Sequence, residues 1–233
     1  MEQLVVSVVI PAYNEEKNIG EVLSKTINVM DGLGTPYEII VVDDGSIDRT
    51  REIAYRYKVT VLSNGRNRGK GYAIKKGFQY AKGNIIVTID SDGSHDPKDI
   101  PEILTPVLNG ADVVCGSRFL GSKKDFTSLL NRLGNFLINS MIMVLTRKRV
   151  TDSQTGFRAI KREVLEKLRL ESAGYEIETE LTVKTLKNGF VFKEKPIVCN
   201  KRQYHNSKLR VLHDGIKILK TILKANFSNE DYH

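Results

Sequence analysis

The chain has 233 residues, of which 40% are hydrophobic and 27% charged, with a formal net charge of +8. That length and balance suit one globular domain with a sizeable core and exclude an extended, disordered acidic chain. Two cysteines, Cys115 and Cys199, both within apolar runs, exclude a disulfide framework and a cysteine zinc site, and point to a reducing, intracellular setting.

In chain order, Glu2 leads directly into an apolar run without the basic and apolar regions of a signal peptide. Five β-branched-rich runs, at 5–10, 38–42, 59–62, 85–89 and 113–115, read as buried strands. Between them, 18–30 places Ile19, Val22, Leu23, Ile27 and Met30 on one helical face, 48–57 follows a Ser-Asp cap signal, and 71–81 carries Tyr72, Ile74 and Phe78. Strands alternating with helices predict an α/β fold with a mostly parallel, doubly wound, Rossmann-like sheet. Beyond Arg118 the spacing predicts a long amphipathic helix over 126–145, a turn-rich element over 151–159, helices over 163–168 and 177–187, a strand over 190–198 and a terminal helix over 208–225. The final 226–233 reads as a tail. No apolar run approaches the roughly 20 residues of a spanning helix, so any membrane contact is expected to be peripheral.

Ligands of such sheets lie beyond the carboxyl ends of the strands, and the unusual residues fall there. Asp90 and Asp92 follow the fourth strand at a spacing that lets both carboxylates face one point. Mg²⁺ or Mn²⁺ takes oxygen ligands and bridges one or two carboxylates to substrate phosphates. Alone an Asp-x-Asp pair is weak evidence, because loops are rich in aspartate and a solvated turn is the commoner case, and its position after an apolar strand is what favours the site. Asp43 and Asp44 follow another strand, where they could accept hydrogen bonds from a base or ribose, or simply cap a turn. Asn67-Arg68-Gly69-Lys70-Gly71 could bring backbone amides to a phosphate at a helix start, or be a basic turn. The four histidines share no metal-ligand spacing and are read as non-ligands.

The ordered set VVIPAYNEEKNI, YEIIVVDDGSIDRT, NRGKGYAIKKGF, DSDGSHDPKDIP, GSRF, DSQTGFRAI, GYEIETEL and RQYHNSKL resembles the inverting GT-A glycosyltransferases. Within them it is similar to the polyprenyl-phosphate sugar synthases such as dolichyl-phosphate mannose synthase. The resemblance implies a GT-A fold over 1–225, with a nucleotide-binding half at 5–118 and an acceptor-side half at 119–225. It implies that Pro11, Tyr13, Glu15, Val42 and Asp44 surround the base and ribose of a GDP- or UDP-sugar. Asp90, Ser91 and Asp92 would meet the donor, with Asp90, Asp92 and Ser94 on Mg²⁺ or Mn²⁺. Arg118, and Arg132 with Asn135, would meet the acceptor or sugar phosphates, and Arg202 and Lys208 would close over the diphosphate. His205-Asn206 replaces the family's usual Gly-Glu in that last element.

The implied reaction moves a hexose, mannose foremost, to a polyprenyl (dolichyl) phosphate. A phosphate monoester is largely anionic at neutral pH, so arginines matter more than a general base. With a saccharide or protein hydroxyl as acceptor, Glu180 or Glu178 is the candidate base, Glu180 matching the family's carboxylate position. Leu209, Leu212, Ile216, Leu219 and Leu223 form one stripe on a basic terminal helix, which fits either a membrane surface or packing on the domain. The expected location is the cytoplasmic face of a membrane, and a membrane-anchoring partner subunit is compatible with it. Nucleic acid is not an expected partner, because no basic motif is interleaved with aromatics.

Overall fold

The computed structural model describes residues 4–120, 129–200 and 211–227. Its elements are β1 (Val6–Ala12), α1 (Ile19–Leu33), β2 (Tyr37–Asp43), α2 (Thr50–Ala54), β3 (Thr60–Ser63), α3 (Lys70–Tyr80), β4 (Ile85–Thr88), α4 (Ile100–Leu108), β5 (Val113–Ser117), α5 (Leu129–Thr146), β6 (Arg158–Lys161), α6 (Arg162–Lys167), α7 (Ile177–Lys187), β7 (Phe192–Pro196) and α8 (Val211–Phe227). The strands form one seven-stranded sheet in the order β3-β2-β1-β4-β6-β5-β7. All neighbours run parallel except β6, which is antiparallel to both β4 and β5. This is the mostly parallel α/β sheet that the alternation predicts.

Side chains alternate along β1 as a pleated strand requires. Val6, Val8 and Ile10 pack with Ile19, Leu23 and Met30 of α1 and Ile100 and Ile103 of α4, while Val9 joins Ile40, Val42, Ile86 and Ala73 of α3 on the other face. Farther along, Val113 and Ile160 pack on Val164 and Leu181. Outside this layer α5, α7 and α8 share a smaller core of Ile138, Ile142, Val183, Ile218 and Ile222.

Two elements were not visible in the pattern. Helix α4 begins and continues through prolines, yet Ile100, Ile103, Leu104 and Val107 are buried at helical spacing, and proline is tolerated in a helix's first turn. Strand β6 is four residues, two of them charged, and falls partly within the stretch read as a turn. It forms because β4 and β5 both need hydrogen-bond partners on their facing edges. The stripe expected on the last helix is also rotated. Ile218, Ile222 and Ala225 are the buried residues, and Leu219 and Leu223 remain 43% and 44% exposed. Among the described residues no helix is long and apolar enough to cross a membrane.

Candidate active site at the strand ends

An acidic pole forms where β4 ends. Ser91 Oγ donates to the Pro11 carbonyl (2.8 Å), which ties the turn to the end of β1. Asp92 Oδ1 accepts from the Ser94 amide (3.0 Å) and hydroxyl (2.6 Å), so its carboxylate is held in one orientation. Ser94 is therefore first a holder of Asp92, and its place as a direct metal ligand stays a proposal. Asp90 rests on Gly156, where an added Cβ would lie 2.5 Å from Asp90 Oδ1, so only glycine leaves the carboxylate its space.

Asp90 Oδ1 is 2.6 Å from Lys70 Nζ, which is also 2.6 Å from Glu178 Oε1. Burial opposes the charge on Lys70, but Asp90 and Glu178 together outweigh it and raise its pKa, so the ammonium persists. Burial pushes the Glu178 carboxyl up, and the Asp90 charge adds to that while Lys70 opposes it. His95 Nδ1 lies 3.8 Å from Asp90 Oδ2, and burial lowers the ring's pKa against the pull of Asp90 and Asp92.

The cationic side is built on β5 and the loop before β6. Arg118 Nε and Nη2 donate to the two oxygens of Asp152 at 2.7 and 2.8 Å. Burial opposes the guanidinium charge, but Asp152 outweighs it. Asp152 is fully buried, and its own amide donates to Glu194 Oε1 (2.9 Å). Asn135 and Asn139 of α5 donate to the Thr151 carbonyl at 3.1 and 2.7 Å, which ties the Asn135 amide nitrogen to this turn. Arg132 is exposed, and its guanidinium shares the Phe119 ring with that of Arg118, at 6.0 and 5.4 Å from the centroid.

Arg158 holds both poles together. It is 1% exposed and donates to the carbonyls of Ser153 (2.7 Å) and Thr155 (3.0 Å) and to Thr182 Oγ1 of α7 (2.8 Å). Thr88 Oγ1 on β4 donates to the Gly156 carbonyl (2.7 Å). The loop at 152–157 thus places Asp152 against Arg118 and Gly156 under Asp90.

The nucleotide-side residues differ in what they hold. Asp44 accepts from Asn64 Nδ2 (2.8 Å) and from the amides of Arg68 (3.0 Å) and Gly69 (2.8 Å). Tyr72 donates its amide to the Ala173 carbonyl (3.1 Å), and a Cβ on Gly71 would come within 2.6 Å of the Ser172 carbonyl. Within 67–71 the Arg68 and Gly69 amides are thus taken by Asp44 and are not turned to a phosphate. Pro11 is buried and Tyr13 half-buried. Glu15 is also buried and accepts from Asn18 Nδ2 (2.7 Å). The Val42 side chain is fully buried in the core, so only its backbone could meet a ligand.

Glu180 is not at the pole. It accepts from the amides of Glu171 (2.9 Å) and Ser172 (2.8 Å) and faces Lys184 (3.3 Å), whereas Glu178 faces Asp90 through Lys70. The two carboxylates are two residues apart on α7, which turns them to different sides of the helix. Arg202 and Lys208 lie outside the described residues. The chain approaches them from the acidic pole, with the Asn200 amide donating to the Ser94 carbonyl (2.8 Å). Asp152, Gly156, Lys70 and His95 were missed as site residues, although all four stand inside the quoted motifs as a loop's first aspartate, its glycine, a lysine between glycines and the histidine three residues after Asp92.

A mostly parallel sheet with an aspartate pair beyond β4 and clamped cations beside it defines a glycosyltransferase of the GT-A fold. The chain belongs to glycosyl transferase family 2, whose family model matches residues 7–169, and it is a glycosyltransferase. It is 39% identical over 229 residues to an uncharacterized protein of Methanocaldococcus jannaschii, covering 94% of this chain and 92% of that one. It is 35% identical over 187 residues to the dolichol-phosphate mannosyltransferase of Pyrococcus furiosus, covering 77% of this chain and 52% of that one. With the undecaprenyl-phosphate 4-deoxy-4-formamido-L-arabinose transferase of Edwardsiella ictaluri it shares 38% identity over 167 residues, 69% of this chain and 50% of that one. The chain thus spans about half the length of these last two relatives. Glucosyl-3-phosphoglycerate synthase of Mycobacterium tuberculosis, solved with Mn²⁺, uridine diphosphate and phosphoglyceric acid, superposes with a TM-score of 0.80 at 25% identity. That match covers 98% of this chain and 80% of the synthase.

Proposed function

We propose that the protein transfers a hexose, mannose foremost, from a GDP- or UDP-sugar to a polyprenyl phosphate such as dolichyl phosphate, with inversion and with Mg²⁺ or Mn²⁺. The observation that carries this reading is the pairing of an oriented Asp90/Asp92 pole with the Arg118 guanidinium, fixed by Asp152, beyond the carboxyl ends of β4 and β5. Names among the family relatives support a polyprenyl-phosphate acceptor.

The metal fits the donors present. Asp90 and Asp92 offer hard oxygens, Ser94 already orients one of them, and Mg²⁺ binds through one or two carboxylates plus substrate phosphates. Among the described residues no group of three or more His, Cys, Asp or Glu is placed to hold an ion. When bound, the cation would offset charge on the departing diphosphate.

On the chain's own side, Arg118 and Arg132 would hold the acceptor phosphate and aim one of its oxygens at the anomeric carbon. That oxygen forms the new bond as the bond from carbon to the diphosphate breaks, and the bonding pair leaves with the nucleotide diphosphate. Arg202 and Lys208 would meet that leaving group. Pro11, Tyr13, Glu15, the Val42 backbone and Asp44 would line the base and ribose, with 5–118 as the nucleotide half of one domain over 1–225. Peripheral contact with the cytoplasmic face of a membrane would bring the lipid acceptor within reach.

A thermal-shift panel of GDP, UDP and their sugars, with and without Mn²⁺, tests the donor side, since a ligand of the native state raises its stability. The expected result is a metal-dependent shift that Asp92→Asn removes. A nucleotide shift that is identical without metal would count against the acidic pole. On the acceptor side, failure to form glycolipid from every common nucleotide sugar and polyprenyl phosphate would sink the lipid reading.

One observation favours a second reading, a saccharide or protein hydroxyl acceptor. Glu178 is a buried carboxylate with a raised pKa at the pole, as a general base requires. Glu178→Gln should then lower kcat by roughly 10²-fold or more with donor binding kept, and Glu180→Gln should act mainly on stability. Equal loss of kcat in the two variants, at unchanged melting temperature, would contradict the assignment of Glu178 over Glu180.

A further inference from the structure

We propose that Glu194, on β7, is a positioning residue that aims the Arg118 guanidinium at the acceptor phosphate by fixing the Thr151 turn. This rests on the polyprenyl-phosphate reading and names the group that directs its arginine.

Glu194 Oε1 accepts from the Thr151 amide (3.0 Å), the Thr151 hydroxyl (2.9 Å) and the Asp152 amide (2.9 Å), and Oε2 accepts from the Thr151 amide as well (2.9 Å). Burial pushes the Glu194 carboxyl up, and these donors oppose that. From this turn two branches run to Arg118.

On the first branch, Glu194 fixes the Asp152 backbone, and the Asp152 carboxylate takes the Arg118 amide together with Nε and Nη2. Nη1 is the guanidinium nitrogen outside this clamp, and it is the end of the fork that a phosphate oxygen can use. On the second branch the hydroxyl protons have one consistent direction. An ionised carboxylate only accepts, so Thr151 donates to Glu194 and must accept from Ser117 Oγ (2.6 Å), which in turn accepts from the Phe119 amide (3.2 Å). Ser117 is fully buried, so breaking the chain leaves a hydroxyl without a partner, which is costly. The Phe119 ring at its end lies 5.4 Å from the Arg118 guanidinium and 6.0 Å from that of Arg132. One carboxylate thus orders both the clamp on Arg118 and the ring that the two arginines share.

The test compares wild type with Glu194→Ala, Glu194→Gln and Thr151→Val, with a short-chain, water-soluble prenyl phosphate as acceptor. Glutamine keeps an oxygen where Oε1 accepts, and valine keeps the shape of threonine without its hydroxyl. For the acceptor, kcat/KM should fall roughly 10²-fold in Glu194→Ala and roughly tenfold in Thr151→Val, and stay within about threefold of wild type in Glu194→Gln. The donor KM and the Mn²⁺-dependent donor thermal shift should match wild type in all three, an asymmetry that a general loss of structure would not produce. Nuclear magnetic resonance gives a readout that needs no acceptor. The Arg118 Nε–H signal, assigned by its absence in Arg118→Lys, should be protected from solvent exchange in wild type and Glu194→Gln and lose that protection in Glu194→Ala. Unchanged protection in Glu194→Ala would overturn the proposal, as would equal losses on the donor and acceptor sides. Glu194→Gln as impaired as Glu194→Ala would also overturn it, since charge and not hydrogen-bond direction would then be what Glu194 supplies. Lost protection in Glu194→Ala with no turnover of the prenyl phosphate by wild type sinks the acceptor reading and leaves the positioning of Arg118 standing.

Discussion

Asp152→Ala is expected to destabilise the protein by about 3–5 kcal/mol, the loss typical when one partner of a buried ion pair is removed and the other charge stays behind. Asp152 is fully buried and receives both Nε and Nη2 of Arg118, together with the Arg118 amide at 3.1 Å. Arg118 retains 20% side-chain exposure, so water can reach part of the stranded guanidinium, which places the effect nearer the lower figure. Urea unfolding measures the stability. Activity should fall further than stability requires, by roughly 10²-fold in kcat/KM under conditions where the variant is folded, because the arginine loses its fixed direction. In Arg118→Ala/Asp152→Ala the stability loss should be smaller than the sum of the single losses, as for groups that share one interaction. Additive losses would show that Asp152 acts on stability independently of Arg118.

Gly156→Ala should disable the acidic pole while leaving the protein folded. The new methyl would lie 2.5 Å from Asp90 Oδ1 and 2.8 Å from its Cγ, closer than any real Cβ contact, so Asp90 or the loop must move. Overpacking of this kind costs about 1–3 kcal/mol, and a displacement near 1 Å at a reacting centre costs about 10²-fold in rate. The expected result is a strong fall in kcat and in the Mn²⁺-dependent thermal shift, with far-ultraviolet circular dichroism unchanged. Gly134→Ala on α5 is the matched control, because nothing lies within 4 Å of its Cβ position and alanine favours a helix interior by up to ~1 kcal/mol. A Gly156→Ala protein with undiminished metal-dependent donor binding would show that the close approach is relieved elsewhere.

Both predictions concern the segment at 151–159, which the sequence pattern presents only as a turn-rich element. Its contribution depends on contacts between residues far apart in the chain, 34 positions for Arg118 with Asp152 and 68 for Thr88 with Gly156, and these leave no local periodicity. Arg158 is similar. Arginine is rarely buried, and only the three oxygens that receive its donors make its position tenable. Glu178 and Glu180 stand two residues apart in one motif, and residue type alone assigns either to the site. The orientation of α7, set by its packing against α3 and α8, turns one toward Lys70 and the other toward the Glu171 and Ser172 amides.

The strand runs, their alternation with helices and the acidic turn after the fourth strand were legible in the residues, because β-branched clustering, helical spacing and strand-end loops are local properties. The ordered motifs were enough to place the chain among glycosyltransferases. Only the tertiary structure decided that β6 enters the sheet antiparallel, that Asp44 and the start of α3 bind the chain's own backbone, that Lys70 links Asp90 to Glu178, and that Glu194 holds the Thr151 turn. Each of those outcomes turns on which distant groups meet in a low-dielectric interior, where an unpaired polar atom or charge is costly.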